Sequence, residues 1–154
     1  MYQIRKAQRK DSEELFDLRI QAIKAKCINH YSTEQIEHWT SGSVNEQFQS
    51  DVEAKFYITE FEGEMVGSGM LDEKSGMVDA IFIAPKFMGK GAAAIMIQFL
   101  ESKAREKGLK QLKLQSTLNA AKFYRSQGFI GEDISIYRSP KGLELACVPM
   151  EKSL

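Results

Sequence analysis

Nine residues, Pro85-Lys86-Phe87-Met88-Gly89-Lys90-Gly91-Ala92-Ala93, have the types and order needed to hold an anion. The run before them, Val78-Asp79-Ala80-Ile81-Phe82-Ile83-Ala84, is β-branched and aromatic enough for a buried strand, and Pro85 ends its ladder. After them an amphipathic helix begins. Small residues at Gly89 and Gly91 let backbone N–H groups crowd around a phosphate at that helix N-terminus. The turn lacks the Gly-Lys-Ser/Thr ending that holds magnesium and phosphate in a P-loop, which disfavours a nucleotidase.

Other chemistry-bearing residues carry two readings each. Tyr124 follows Phe123 on a short helix and, taken alone, reads as a packed aromatic with a satisfied hydroxyl. Asp79 reads alone as an exposed or salt-bridged pleat residue. Cys27, His30, His38 and Cys147 are zinc-ligand types, and Cys27 and His30 stand three apart, but no CxxC or second close pair joins them. A buried thiol and ordinary histidines are expected there, and no metal.

The elements around these residues follow from patterning. Ala92, Ile95, Met96, Phe99 and Leu100 recur at i, i+3, i+4, i+7 and i+8, with Gln98, Glu101, Ser102 and Arg105 on the polar side. Lys103, Arg105 and Lys107 suit the helix C-terminus, and Gly108 suits its cap. Upstream, Tyr2 to Lys6 reads as a strand, and Asp11-Ser12-Glu13-Glu14 opens a helix with Phe16, Ile20, Ile23 and Cys27 as its stripe. Ser32-Thr33-Glu34-Gln35 has capping-box spacing ahead of Ile36 and Trp39, and a third short helix is expected near Val44 to Phe48. An antiparallel meander runs Lys55 to Phe61, Met65 to Leu71 and Met77 to Ala84. A strand at Gln111 to Gln115, a helix at Asn119 to Ser126, and strands at Asp133 to Tyr137 and Leu143 to Met150 follow. The order is β-α-α-β-β-β-α-β-α-β-β in a single domain, 1–154.

With 154 residues, 43% hydrophobic, the chain supports one full core. Lysine plus arginine (21) equals aspartate plus glutamate (21), so no overall field favours nucleic acid or an anionic membrane. No apolar run approaches the roughly 20 residues of a membrane span. Met1 to Lys10 is polar and basic, without a secretory pattern, and two distant cysteines suit a reducing compartment, so a cytoplasmic location is expected.

Two motifs at this separation make the chain resemble the GNAT N-acetyltransferase superfamily. Pro85 to Ala93 matches the family's acetyl-CoA turn, Pro-x-x-(Arg/Gln)-Gly-x-Gly-x-(Gly/Ala). Ala121-Lys122-Phe123-Tyr124-Arg125-Ser126-Gln127-Gly128-Phe129 contains its second signature, Phe-Tyr-x-x-x-Gly-Phe. The likeness spans essentially the whole chain and implies an α/β (α+β) fold with a mixed, mainly antiparallel twisted sheet splayed around acetyl-CoA. The run Cys27-Ile28-Asn29-His30-Tyr31-Ser32 with Gln35 and Trp39 resembles a bacterial subset of unassigned substrate.

The resemblance implies acetyl transfer to a primary amine by direct attack in a ternary complex. Backbone groups of Ile81, Phe82 and Ile83 would hold the pantetheine and face the acetyl carbonyl, Met88, Gly89, Lys90, Gly91, Ala92 and Ala93 the phosphates, and Asn119 the pantetheine arm. Tyr124 resembles the family's general acid. For the general base, Asp79 leads Glu60, His30 or a water chain because it shares the strand. His30, Tyr31 and Trp39 would line a pocket for a small-molecule or peptide amine. A homodimer through the last strands is an arrangement the resemblance leaves open.

Two departures from the family pattern stand out. Met88 replaces the usual Arg or Gln; since backbone amides carry most of such a cradle and Lys86 and Lys90 add charge, weakened rather than lost binding is expected. Thr117, not Asn119, stands three before Ala120, where the family often has asparagine. Met88 keeps an alternative alive, a non-catalytic acyl-CoA-binding or protein-interaction module, while Tyr124 argues against it.

Overall fold

The computed structural model describes residues 1–154. Strand β1 (Tyr2–Lys6) leads into helices α1 (Ser12–Cys27), α2 (Thr33–Trp39) and α3 (Glu46–Lys55), and strands β2 (Phe56–Phe61), β3 (Glu64–Leu71) and β4 (Val78–Ile83) form the meander. Helix α4 (Ala92–Glu106), strand β5 (Gln111–Thr117), helix α5 (Ala121–Ser126) and strands β6 (Ser135–Arg138) and β7 (Glu144–Ser153) complete the chain. The third helix is longer and later than its sequence signal, because Asn45 caps it by accepting from the Phe48 N–H at 2.8 Å. The Ser32–Gln35 capping box forms as read.

The mixed sheet resolves into two antiparallel halves, β1-β2-β3-β4 and β5-β7-β6. A single parallel bridge, Met77 to Lys113, joins them. Beyond that bridge β4 and β5 pair with nothing on their facing edges, so the two sheets part and leave a gap between them. The joint depends on Gly76: its φ is +79°, and a Cβ there would stand 2.5 Å from the Gln111 carbonyl oxygen. No other residue lets the strands approach so closely.

Helix α4 packs its stripe on both halves. Met96, Ile97, Leu100 and Ala104 are at most 1% exposed, and Ile95 is 38% exposed. This corrects the expected stripe, which included Ile95 and omitted Ile97. The reason is local: Met96 seats against the bare backbone of Gly69 on β3, and that contact sets the rotation of the helix. Each fully buried Leu or Ile of this face contributes about 1.5–3 kcal/mol. On α1 the buried apolar residues are Leu15, Leu18, Ala22, Ile23 and Cys27, while the expected Phe16 and Ile20 are only half-buried. That helix serves two masters. Leu15 and Leu18 pack on Val52, Phe56 and Ile58, and Ile23 and Cys27 pack on Tyr31, Ile36 and Leu145.

Arg5 fixes the entry to α1, since its guanidinium donates to both Asp11 carboxylate oxygens at 2.9 and 3.0 Å. It also ion-pairs with Glu60 at 3.2 Å.

Candidate active site

The parting strands, α1 and the start of α4 enclose a cleft of about 900 Å³, lined mostly by apolar side chains. At its phosphate end, Pro85–Phe87 makes a 3₁₀ turn and the chain then passes through Gly89 (φ +75°) and Gly91 (φ +87°). No side chain caps α4. Its first N–H groups therefore keep their partial positive charge for an outside acceptor. The space above both glycines is open, so a Cβ at either would enter the cradle. Lys86 is taken by Glu64 at 2.7 Å, whereas Lys90 has no carboxylate partner and lies beside the Phe87 ring.

Strand β4 carries the middle of the site. Its pairing with β3 slips between Ser68 and Met70, leaving Ala80 and Ile81 without register partners. Ala80 adopts φ +54°, a left-handed conformation that costs a non-glycine residue about 1–2 kcal/mol. Two hydrogen bonds hold it there: Ala80 N–H donates to Asp79 Oδ1 at 2.7 Å, and Ser68 Oγ donates to the Ala80 carbonyl at 2.8 Å. A bulge at this point turns the strand's backbone toward the cleft.

Asp79 is exposed and lines the cleft, and the protein packed around it pushes its carboxyl pKa up. Arg19 offsets this in part. Tyr124 is buried against Phe123 and Phe129 and is one of the residues that line the cleft. Burial, then the nearby Asp79 charge, push that phenol well above its ordinary value. It therefore stays protonated across the physiological range.

Of the residues singled out in the sequence, Asp79, Ile81, Phe82, Ile83, Met88, Gly89, Gly91, Ala92, Ala93, Asn119, Tyr124, Tyr31 and Trp39 all line this one cleft. Lys90 and His30 do not; both are exposed. Glu60 is held by Arg5 away from it. The Tyr31 hydroxyl is fully used, donating to the Ala146 carbonyl at 2.6 Å and accepting from the Leu118 N–H at 3.1 Å. The tyrosine ties the turn between α1 and α2 to β7 and to the residue that follows β5, and its ring meets Trp39 edge-on at 5.5 Å. The Cys27 thiol donates to Asn119 Oδ1 at 3.6 Å, and burial pushes its pKa up to about 11.

Sequence reasoning missed Ser68 and Arg19. The first sits between Gly67 and Gly69, and three small residues in a strand signal close approach or a bulge. The second interrupts the apolar face of α1 at i+4 from Leu15 and i−4 from Ile23, a cation where the stripe calls for an aliphatic.

A family model for the GNAT acetyltransferase domain matches residues 27–154, and the chain belongs to that family. Among solved structures, a GCN5-related N-acetyltransferase from Rhodopseudomonas palustris is 25% identical with a TM-score of 0.91, covering 99% of this chain and 95% of that one. The PaiA N-acetyltransferase from Thermoplasma acidophilum, in complex with coenzyme A, is 19% identical with a TM-score of 0.76, covering 100% and 99%. The N-acetylglutamate synthase from Neisseria gonorrhoeae, complexed with coenzyme A and N-acetyl-glutamate, is 18% identical with a TM-score of 0.69, covering all of this chain and 35% of that one. No curated protein matches the chain in sequence. No helix is long and apolar enough to cross a membrane.

Proposed function

We propose that this protein is an N-acetyltransferase that moves the acetyl group of acetyl-CoA to an amine by direct attack in a ternary complex. The observation that carries the reading is the convergence of an uncapped helix N-terminus, an unpaired strand edge, a carboxylate and a protonated phenol on one cleft. The coenzyme A complex of the PaiA relative supports the choice of cofactor.

Acetyl-CoA supplies an activated acyl group on a thiolate leaving group. The backbone of Gly89, Lys90, Gly91, Ala92 and Ala93 would receive its pyrophosphate, with Met88 as an apolar flank and Lys90 as the free cation nearby. The open edge of β4 at Ile81 to Ile83 offers N–H and C=O groups to an extended amide chain, as a sheet edge does to an added strand. A backbone N–H at the bulge would stabilise the oxyanion, an effect worth about 2.7–4 kcal/mol in comparable sites. Asp79 would take the proton of the incoming ammonium, directly or through water. Tyr124 would give its proton to the departing thiolate, forming S–H as the C–S bond breaks and the C–N bond forms.

Calorimetric titration with acetyl-CoA, followed by free-thiol release against an amine panel, tests the reading. Micromolar binding with amine-dependent release is the expected result. Binding without release by any amine would favour the non-catalytic acyl-CoA module, and absence of binding would sink both.

A further inference from the structure

Arg19 stands apart from every other arginine of the chain. Arg5, Arg9, Arg105, Arg125 and Arg138 all pair with carboxylates at or near the surface. Arg19 projects from α1 into the cleft wall, is largely desolvated, and pairs with none. Its Nη2 donates to the Trp39 carbonyl at 2.8 Å, and the guanidinium lies 5.6 Å from the Phe16 ring centre. Those contacts fix its direction and use one arm of a donor fork built for a carboxylate.

The same cleft holds one opposite charge that is likewise unpaired. Asp79 forms no ion pair, and Arg19 and Asp79 sense each other's field without approaching within ion-pair distance. Two separated, unpaired charges on the walls of one mostly apolar cleft are matched by a ligand of the reverse polarity that spans them. The other charged residues of the lining are otherwise placed. Lys26 is exposed to water, and Asp51 is half-buried and already accepts from the Gln47 amide at 3.1 Å. Beside Arg19 a second hollow of about 320 Å³ branches off, sharing Trp39, Phe48 and Tyr137 with the main cleft. Aromatic rings thus accompany the cation where the two cavities meet.

We propose that the acceptor is an amino acid or a closely similar zwitterion, its carboxylate held by Arg19, its ammonium facing Asp79, and an apolar or aromatic side chain lodged among Trp39, Phe48 and Tyr137. This rests on the acetyl-transfer reading for the role of the amine. It goes further in naming Arg19 as the residue that selects the acceptor.

The experiment compares the common L-amino acids with their decarboxylated amines, for example phenylalanine with 2-phenylethylamine and methionine with 3-(methylthio)propylamine. Binding to the coenzyme A-saturated protein is read by calorimetry and turnover by thiol release, for wild type, Arg19→Gln and Arg19→Lys. At least one amino acid is expected to bind roughly 30-fold or more tightly than its amine, the discrimination of a desolvated charge pair. Arg19→Gln is expected to erase that ratio, with the loss falling on the KM of the amino acid. Arg19→Lys, which keeps the charge and a donor to the Trp39 carbonyl, guards against a folding artefact and retains part of the preference. Amines bound as well as amino acids, discrimination that survives Arg19→Gln, or no amino acid bound at all would each overturn the proposal. The two readings fail separately: turnover of bare amines alone leaves acetyl transfer standing without the carboxylate site, and Arg19-dependent amino-acid binding without turnover does the reverse.

Discussion

The Ser68 hydroxyl donates to the carbonyl of Ala80 at 2.8 Å across the one irregular point of the β3–β4 ladder. Ser68 is 2% exposed, so its hydroxyl makes this bond shielded from bulk solvent. Removing the hydroxyl leaves the Ala80 carbonyl short of a donor and the left-handed residue without its restraint. Ser68→Ala is expected to cost about 1–3 kcal/mol of stability, the price of a buried polar group left unpaired. It is also expected to lower kcat for acetyl transfer, because the bulge backbone then relaxes toward the regular ladder. Thermal melting and steady-state kinetics check both, and a mutant as active as wild type would detach the bulge from catalysis.

Thr59, on the neighbouring strand β2, is the contrasting case. It is fully buried, and its Oγ1 has no hydrogen-bond partner. A methyl in place of that hydroxyl keeps the volume and removes an uncompensated polar atom. Thr59→Val is therefore expected to stabilise the protein by about 1 kcal/mol, raising Tm by about 2–4 °C for a domain of this size. A lower Tm would show that the hydroxyl finds a partner in solution.

Local signals made much of this fold legible. The Gly89–Gly91 turn, the Ser32–Gln35 box and the Gly108 cap act within a few residues, so sequence spacing alone reports them. The splayed sheet was expected only through the family resemblance and not from local patterning, because it follows from Met77 and Lys113 meeting once and then diverging, a contact between residues thirty-six apart. Asp79 illustrates the same limit within the site. Its strand was evident, but which face it occupies depends on the bulge at Ala80, and the bulge depends on Ser68 from another strand. The side chains that line the cleft from α1 were hidden for a related reason: that helix buries two faces, and a single stripe drawn through Phe16 and Ile20 misses the one carrying Arg19.

Gly91 combines a positive φ with open space above its Cα. A glutamate there would be strained and would put a carboxylate where phosphate oxygens are to sit. Gly91→Glu is expected to weaken acetyl-CoA binding by about 30-fold or more, the scale of a misplaced charge at a partly buried helix N-terminus. Calorimetry reads this directly. Unchanged affinity would move the phosphate site away from α4.

Asp79 links stability to activity through pH. Its carboxyl pKa is raised in the folded state, so the folded protein binds more protons than the unfolded chain between the unfolded value, about 3.9, and the raised one. Stability is thus lost as pH rises through that window, and the full cost is present above it. Asp79→Asn is expected to raise Tm at neutral pH, with the gain shrinking to nothing as pH falls below the unfolded pKa. If the ionised carboxylate takes the ammonium proton, kcat/KM of the wild type rises with pH through the raised pKa. The variant is expected to lose that limb together with roughly 10²-fold or more in rate. An identical profile in the variant would return the base to a water chain.

Tyr124 is packed between Phe123 and Phe129, so Tyr124→Phe keeps the rings and their contacts and removes only the proton donor. A phenol held protonated by burial beside Asp79 is a poor acid in the ground state. It becomes useful only as negative charge develops on the departing sulfur. Its loss is accordingly expected to fall on kcat, by about 10²-fold, and to leave acetyl-CoA affinity unchanged. The leaving group supplies an internal control: an acetyl donor with a more acidic thiol needs the proton less, so the penalty is expected to shrink with such donors. A penalty that is the same for every donor would make Tyr124 a packing residue that shapes the cleft, and full activity in the variant would remove it from the mechanism.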